Sequence, residues 1–267
     1  MKRIALVLFL SLSLHPSSFG QGALTPPGRP GPTMKALEQL EPRTPISSLP
    51  FTITQPGSYY LTTNLIANAT VTNGITITVS EVTLDLMGFE LVGDSGDGIF
   101  ASGTLSNITI RNGTVRNWTG RGLSMVTSHN SQLERLRVSS NGQRGIYTGL
   151  GSAVRDCTAR GNGGDGIRVN DSSRVVDNTC DANGDLAEGA GVRAFSSRNR
   201  VEGNHLTAND WGIRVITGGN LIIRNSASNI TTNYSFTGVQ TFGPTNHLVG
   251  TGGVITNAHP WANFSFY

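Results

Sequence analysis

Long apolar runs are almost absent from this sequence. The exception is Ile4–Leu14, which follows Met1-Lys2-Arg3 and leads into small residues that end at Gly20. Such a run behind two basic residues is typical of a secretory signal peptide, and it is shorter than the ~18 apolar residues of a transmembrane helix. We therefore expect residues 1–20 to be a signal peptide and the mature chain to begin near Gln21. The protein should be secreted, extracellular or periplasmic, and without a transmembrane segment.

Lysine is nearly missing as well. Without Lys2 and Arg3, 18 basic residues remain against 17 acidic residues, and Lys35 is the sole lysine beside seventeen arginines. A mature net charge of about +1 argues against a nucleic-acid partner, which would require a basic face. Arginine differs from lysine in carrying a planar fork that matches carboxylates.

Uninterrupted helix-forming stretches are few, because 34 glycines and many Asn, Ser and Thr residues are spread along the chain. Short runs such as "GIRV" and "VTLDL" alternate instead, which indicates strands with one buried face. A glycine followed by a branched apolar residue recurs every 21 to 25 residues, at Gly74-Ile75, Gly98-Ile99, Gly122-Leu123, Gly145-Ile146, Gly166-Ile167, Gly191-Val192 and Gly212-Ile213. This interval, without helices between the strands, predicts a solenoid with one coil per period.

Two stretches carry a family resemblance: "SNITIRNGTVRNWTGRGL" (Ser106–Leu123) and "SAVRDCTARGNGGDGIRV" (Ser152–Val169). They resemble the secreted bacterial right-handed parallel β-helix repeat proteins of the pectin-lyase-like superfamily. The resemblance implies an all-β fold, a right-handed parallel β-helix solenoid of about seven coils over residues 51–229. A scaffold of this kind specifies no reaction by itself.

Both ends of the solenoid have candidate caps, which would protect strand edges and core. Residues 21–50 form a leader in which Thr33 can cap a short helix over Met34–Glu41, with its apolar residues on one face. Residues 230–267 lose the repeat and end in aromatic residues. We expect the first segment to contain an N-terminal capping helix and the second to be an irregular C-terminal coil and cap.

Glycine and asparagine in the repeat have a structural interpretation. A glycine at the entrance to each strand permits a left-handed corner. Asparagines precede most of these glycines, and a second series lies five positions earlier; the two series are Asn117, Asn141, Asn162, Asn183 and Asn209, and Asn112, Leu136, Cys157, Asn178 and Asn204. Stacked amides can hydrogen-bond from coil to coil. We therefore assign these residues to shape rather than to chemistry.

The two cysteines of a secreted chain invite a disulfide. In the 21-residue register, however, Cys157 aligns with Asn178, and Cys180 aligns with Ala159. One coil and two strand residues would separate the Cα atoms by roughly 8 Å, beyond the usual bridging distance. We predict two buried, unbridged thiols, with a disulfide as the alternative.

Enzymes with the fold that the resemblance implies carry motifs that are missing here. Polygalacturonases have Asn-Thr-Asp, Asp-Asp, Gly-His-Gly and Arg-Ile-Lys, alginate epimerases have Tyr-Gly-Phe-Asp-Pro-His, and pectate lyases have Arg-x-Pro-x-x-Arg; none occurs in this sequence. We predict no catalytic residue. A lyase that needs one arginine as base and a calcium-held carboxylate stays open as an alternative.

One acidic cluster is a candidate metal site. Asp165, Asp185, Glu188 and Asp210 fall at the same turn of three successive coils, so their carboxylates can converge within about 5 to 10 Å. Such a group could bind calcium, the only cofactor the sequence suggests, or act as a carboxylate pair on a glycosidic bond. The structural interpretation is that aspartate before glycine is ordinary turn chemistry.

The residue after each buried branched residue points outward and forms a line, one per coil. Aromatic rings can stack on sugars and arginine forks can pair with uronate or sulfate groups. The candidate ligand-binding residues on this line are Phe100, Tyr147, Arg168, Arg193 and Arg214. The sequence thus favours a non-catalytic protein, monomeric or weakly oligomeric, that binds acidic extracellular or cell-surface polysaccharide. A polysaccharide lyase or glycoside hydrolase and a structural or adhesive surface rod are the alternatives.

Overall fold

The computed structural model describes residues 42–68, 70, 72–184, 189–248, 255 and 259–267. The described residues all belong to one compact unit, Pro42–Tyr267. This described part is all β and contains no helix, and therefore none with the length and apolarity that crossing a bilayer requires. The expected signal peptide and capping helix lie outside the described residues and stay predictions.

Two long parallel sheets contain nearly all the strands, which are numbered in chain order. The nine-stranded sheet consists of β2 (Phe51–Ile53), β5 (Asn73–Ile77), β8 (Asp97–Ala101), β11 (Leu123–Met125), β14 (Ile146–Thr148), β17 (Ile167–Val169), β20 (Ala190–Ala194), β23 (Trp211–Val215) and β26 (Thr232–Phe236). The eighteen-stranded sheet consists of β1 (Thr44–Ile46), β3 (Gly57–Leu61), β4 (Leu65–Ile66), β6 (Val82–Asp85), β7 (Glu90–Val92), β10 (Ile108–Arg116), β13 (Gln132–Ser139), β15 (Ala153–Arg155), β16 (Thr158–Arg160), β18 (Arg174–Val176), β19 (Thr179–Asp181), β21 (Arg200–Glu202), β22 (His205–Thr207), β24 (Leu221–Ile223), β25 (Ser226–Ser228), β27 (Thr241–Phe242), β28 (Thr245–Leu248) and β29 (Asn263–Phe266). A short pair, β9 (Leu105–Ser106) and β12 (Ser128–His129), completes the described strands.

The nine-stranded sheet corresponds to a parallel β-solenoid of about eight turns, one more than the glycine series predicts. In its first strand Phe51 pairs with Ile75, and in its last strand Tyr234 pairs with Ile213. The residues before Phe51 and Tyr234 are Pro50 and Asn233 rather than glycine. A search for glycine therefore misses both terminal strands, although they occupy the same position in the coil.

Stacked apolar columns form the core. In the nine-stranded sheet one column runs through consecutive coils and is closed to solvent along its whole length: Ile75, Ile99, Leu123, Ile146, Ile167, Val192 and Ile213. Burying one such side chain contributes about 1.5–3 kcal/mol. Because side chains alternate along a strand, fixing this column inward fixes the adjacent positions outward.

Left-handed residues turn the chain at the corners of each coil. In the coil that contains β18 and β19, Ser172, Asp177 and Ala182 have φ angles of 58°, 56° and 53°. The residue after each of them is buried: Ser173, Asn178 and Asn183. One left-handed residue therefore redirects the chain and aims the next polar side chain into the solenoid.

The buried corner residues form ladders along the solenoid. In one ladder the amide nitrogen Nδ2 of each asparagine donates to Oδ1 of the next at 2.8–2.9 Å, through Asn141, Asn162, Asn183, Asn209 and Asn229. A second ladder runs through Asn178, Asn204, Asn225 and Asn263, and a third ends in Asn199, Asn220 and Gln240. The predicted stacking of amides from coil to coil is confirmed.

Two residues assigned to these series are out of register. Arg116 pairs with Ser139, which places Trp118 rather than Asn117 beside Asn141; likewise Gly113 rather than Asn112 pairs with Leu136. Asn117 and Asn112 are left-handed corner residues with φ angles of 63° and 58°. Arg116 and Ser139 are 23 residues apart, whereas Asn117 and Asn141 are 24 residues apart, so aligning the asparagines shifts both assignments by one residue.

The repeat glycines are needed because neighbouring coils approach them closely, and not because the backbone forms a left-handed corner there. No positive φ occurs at Gly98, Gly122 or Gly145. A Cβ atom on Gly122 would lie 2.7 Å from the carbonyl oxygen of Gly145, and one on Gly145 would lie 2.6 Å from that of Gly166. Since the next coil and its asparagine amide fill this space, a larger residue does not fit.

Both cysteines are buried and unbridged. Ala159 pairs with Cys180, and the backbone nitrogen of Cys157 donates to Asn178, so the predicted register is confirmed. Burial raises the pKa of the Cys157 thiol to about 12 and also raises the pKa of Cys180.

Candidate functional site

The outward residues of the nine-stranded sheet form rows along the solenoid. We call one of them the arginine row; its members pair directly from each coil to the next and are Thr76, Phe100, Ser124, Tyr147, Arg168, Arg193 and Arg214. Neighbouring members are therefore about 4.8 Å apart along the solenoid. The alignment predicted from the repeat is confirmed, and it brings three arginines together after one tyrosine.

A second row, the flanking row, lies immediately before the repeat glycines. It contains Asn73, Asp97, Arg121, Arg144, Asp165, Ala190 and Trp211. Backbone hydrogen bonds keep it in step, since the amide of Gly122 donates to the carbonyl of Arg144 and the amide of Gly145 donates to that of Asp165. The two rows are three residues apart along each strand, so strict alternation would place them on opposite faces. Two consecutive buried residues, the glycine and the branched residue, break the alternation, and the contacts of Asp165 with Arg193 and of Trp211 with Arg214 show that both rows share one face. Only the arginine row was predicted.

Asp165 is the electrostatic centre of the two rows. Its side chain is 3% exposed, and Oδ1 lies 2.8 Å from Nε of Arg193. Oδ1 also accepts the backbone amide of Ala190 at 3.0 Å, while Oδ2 accepts Nε of Arg144 at 3.3 Å. One buried carboxylate thus holds two guanidinium groups, which come from the coils before and after its own.

Arg168 lies between these two ion-paired arginines and has a different environment. Its guanidinium carbon is 4.9 Å from the ring centre of Tyr147 in the preceding coil and 4.2 Å from that of Phe195 in the following coil. Only 9% of Arg168 is exposed, and burial lowers the pKa of its guanidinium below the ordinary value. Among the described residues, no carboxylate forms an ion pair with Arg168.

The cluster continues at both ends. Arg214 packs its guanidinium 4.8 Å from the ring centre of Trp211, its neighbour across the two rows. At the other end Arg121 donates to the buried hydroxyl of Ser124 at 2.9 Å and lies 3.8 Å from Asp97. The two rows therefore form a cationic and aromatic surface over five consecutive coils.

The fold and this surface can be compared with known proteins. Residues 53–228, more than half of the chain, match the family model described as the right-handed β-helix region. The chain belongs to the right-handed β-helix family. The resemblance to parallel β-helix proteins predicted from the sequence is thereby confirmed. No curated protein matches this β-helix chain.

Solved structures similar to this β-helix include three polysaccharide-directed proteins. Pectate lyase Pel9A has a TM-score of 0.48 and 15% identity, covering 84% of this chain and 65% of that one. The A-module of the Azotobacter vinelandii mannuronan C-5 epimerase AlgE6 has a TM-score of 0.45 and 14% identity, covering 78% and 59%. The AlgE4 A-module has a TM-score of 0.42 and 14% identity, covering 79% and 86%. The present β-helix thus spans less than two thirds of the first two chains.

The predicted acidic cluster is described only in part. Asp185 and Glu188 lie outside the described residues. Asp165 holds Arg144 and Arg193, and Asp210 accepts the backbone amide of Gly189 at 3.2 Å. No group of three metal-binding side chains converges among the residues that the structure describes. A calcium ion at Asp165 would have to compete with two guanidinium groups, and calcium binding by this β-helix stays a prediction.

Phe100 is the predicted site residue farthest from the arginines. It belongs to the arginine row, but the coil of Ser124 separates it from Tyr147. Phe195 and Trp211 instead supply the rings that contact Arg168 and Arg214. Phe195 follows the last residue of β20, so its contact with the preceding coil depended on the register of two strands and was not visible as a motif.

Proposed function

We propose that this β-helix binds an acidic polysaccharide along the arginine row, without catalysis, at a secreted location. The observation that carries the proposal is a charge imbalance in a continuous row. Arg168, Arg193 and Arg214 occupy three successive coils, and among the described residues only Arg193 of the three has a carboxylate partner. Like charges opposite one another on neighbouring strands are destabilising. An anionic polymer that follows the row would relieve this repulsion.

The geometry of the row suits a polymer better than a compact ligand. Five coils present cations or rings on one face, from Arg121 to Arg214, and successive coils are about 4.8 Å apart. This rise is similar to the repeat of an extended 1,4-linked sugar chain. Arginine forks can pair with carboxylates, and rings such as Tyr147 and Trp211 offer apolar faces to the sugars.

The test is affinity electrophoresis of the mature protein in native gels that contain polygalacturonate, alginate or a sulfated glycan. We expect at least one acidic polymer to retard the wild-type protein, and added salt to weaken the retardation because exposed charges are screened. The triple variant Arg168→Gln/Arg193→Gln/Arg214→Gln should lose most of the retardation.

The matched control is Arg137→Gln/Arg160→Gln/Arg174→Gln, which removes the same charge from exposed arginines of the eighteen-stranded sheet. This variant should be retarded nearly like the wild type. Equal retardation of the two triple variants would contradict binding at the arginine row. The same polymers are assayed for unsaturated and reducing sugar ends, and turnover that the arginine-row variant loses would replace this proposal with an enzymatic one.

A further inference from the structure

Arg168 is a buried cation for which the described part of the protein provides no acceptor. It is 9% exposed, and its guanidinium donates no hydrogen bond to any described residue. Burying a charge without a partner is costly, so buried arginines are normally paired. The rings of Tyr147 and Phe195 offset part of this cost through cation–π contacts.

The charges around Arg168 are mostly positive, which adds to the cost of burying its guanidinium group. Arg144 and Arg193 flank it, and both are held by the single carboxylate of Asp165. Three guanidinium groups therefore share one described carboxylate. Both oxygens of Asp165 are engaged by its two arginines and by the amide of Ala190, and this carboxylate forms no direct ion pair with Arg168. The imbalance is local, and it is centred on Arg168.

The packing of Arg168 restricts what can reach it. The ring of Tyr147 lies on the side of the preceding coil and the ring of Phe195 on the side of the following coil. A ligand must approach the small part of the guanidinium that the rings leave exposed. Guanidinium and carboxylate groups are both planar and pair through two parallel hydrogen bonds. Phe195 is 43% exposed, so part of its ring is open beside the same position.

We infer that Arg168 is the subsite for the carboxylate of one uronic acid residue, and that the exposed part of Phe195 supports the ring of that sugar. The inference rests on the proposed function and assigns its strongest contact. Arg193 is then a positioning residue, fixed by Asp165. Arg214, stacked on Trp211 one coil farther, is an auxiliary contact.

The experiment measures binding of oligogalacturonate and oligomannuronate by calorimetry to wild-type protein, Arg168→Gln, Arg168→Lys and Arg214→Gln. Arg168→Gln should lose tenfold or more in affinity, as expected for a charge-assisted hydrogen bond. Arg168→Lys should recover only part of the loss because it lacks the planar fork. Arg214→Gln, which removes the same charge, should lose only a few-fold. The methyl-esterified oligosaccharides should not bind.

Folding of the variants is checked by their thermal unfolding without ligand. Arg168→Gln should unfold no earlier than the wild type, since it removes a buried charge that no described carboxylate pairs with. If it does not fold, Arg168→Met, which keeps an unbranched chain without the charge, takes its place in the same titrations.

The outcomes separate this inference from the proposed function. If gels retard the wild type and Arg168→Gln equally, the polysaccharide-binding function stands and the Arg168 subsite is wrong. If a sulfated oligosaccharide without carboxyl groups binds as tightly as the oligouronates, the carboxylate assignment is wrong. If no acidic polymer retards the wild type, the proposed function itself fails.

Discussion

At the scale of single residues, Asp165 organises the cationic surface. A buried carboxylate that holds two arginines from different coils restrains both guanidinium groups in a low-dielectric position. The sequence indicated Asp165 only as a member of an acidic cluster and not as a partner of arginines, because those arginines lie 21 and 28 residues away in other coils. Only the exact register of three strands brings the three side chains together.

We predict that Asp165→Asn lowers the free energy of unfolding by about 3 kcal/mol, because it removes a buried carboxylate that pairs with the nearly buried Arg193 and the half-buried Arg144. Urea denaturation at neutral pH measures the change. The control is Asp171→Asn, which breaks the pair with Arg198, a side chain that is 73% exposed; its loss should stay below about 1 kcal/mol. Similar losses in the two variants would contradict the role given to Asp165.

At the scale of structural elements, the ladders join the coils through side chains as well as through the backbone. Asn183 is an example in which both polar atoms of the side chain form hydrogen bonds to neighbouring coils. Its Nδ2 donates to the carbonyl of Ala159 at 2.9 Å and to Oδ1 of Asn209 at 2.8 Å, and its Oδ1 accepts Nδ2 of Asn162 at 2.8 Å. Loss of this asparagine therefore removes hydrogen-bond partners from polar groups in both neighbouring coils.

We predict that Asn183→Ala lowers the free energy of unfolding by about 3 kcal/mol, since at least three buried groups lose a hydrogen-bond partner at about 1 kcal/mol or more each. Chemical denaturation followed by circular dichroism measures the loss. Asn170→Ala, an outward position just after β17, is the matched control and should change stability by no more than about 0.5 kcal/mol. A loss at Asn183 as small as that of the control would show that the ladder amides are not essential.

Much at this scale was predictable from the sequence, for identifiable reasons. Alternation fixed which residues face outward, so the arginine row followed from the positions of Arg168, Arg193 and Arg214. The role of glycine was misassigned, because a positive φ and a lack of space both select glycine. Asn117 was misplaced by one residue, since Trp118 takes the inward position there and no asparagine marks it.

At the scale of the whole molecule, global stability is linked to pH through three buried groups. Burial raises the pKa of Cys157 to about 12, and it also raises the pKa of Cys180 and of Tyr234, whose hydroxyl contacts the backbone carbonyl of Phe264 at 2.8 Å. In the unfolded chain the thiols have a pKa of about 8.5 and the phenol has a pKa of about 10. Folding therefore keeps these groups neutral over a range in which the unfolded chain ionises.

We predict that stability from these groups is fully present below about pH 8.5 and is lost as pH rises toward 12. Each thiol should lower the free energy of unfolding by about 1.4 kcal/mol per pH unit in that range. Urea denaturation at pH 7 and pH 10 measures the slope, and Cys157→Ala/Cys180→Ala should reduce it. An unchanged slope of stability against pH in this variant would rule out the thiols as its source. In a separate measurement, thiol titration of the wild type should find no reactive thiol until the chain unfolds.

The direction of the ladders has a consequence for how such a chain can change in length. The amide-to-amide hydrogen bonds from Asn141 to Asn229 all run in one direction, because each Nδ2 donates to the Oδ1 of the next coil. Two coils that share this hydrogen-bond direction can replace one another in the ladder. A 21-residue segment duplicated in frame would form the same amide hydrogen bonds with the coils on both sides. The number of coils can therefore change by duplication without new kinds of contact. The length of the arginine row would then change by whole coils, without a change in the contacts between coils.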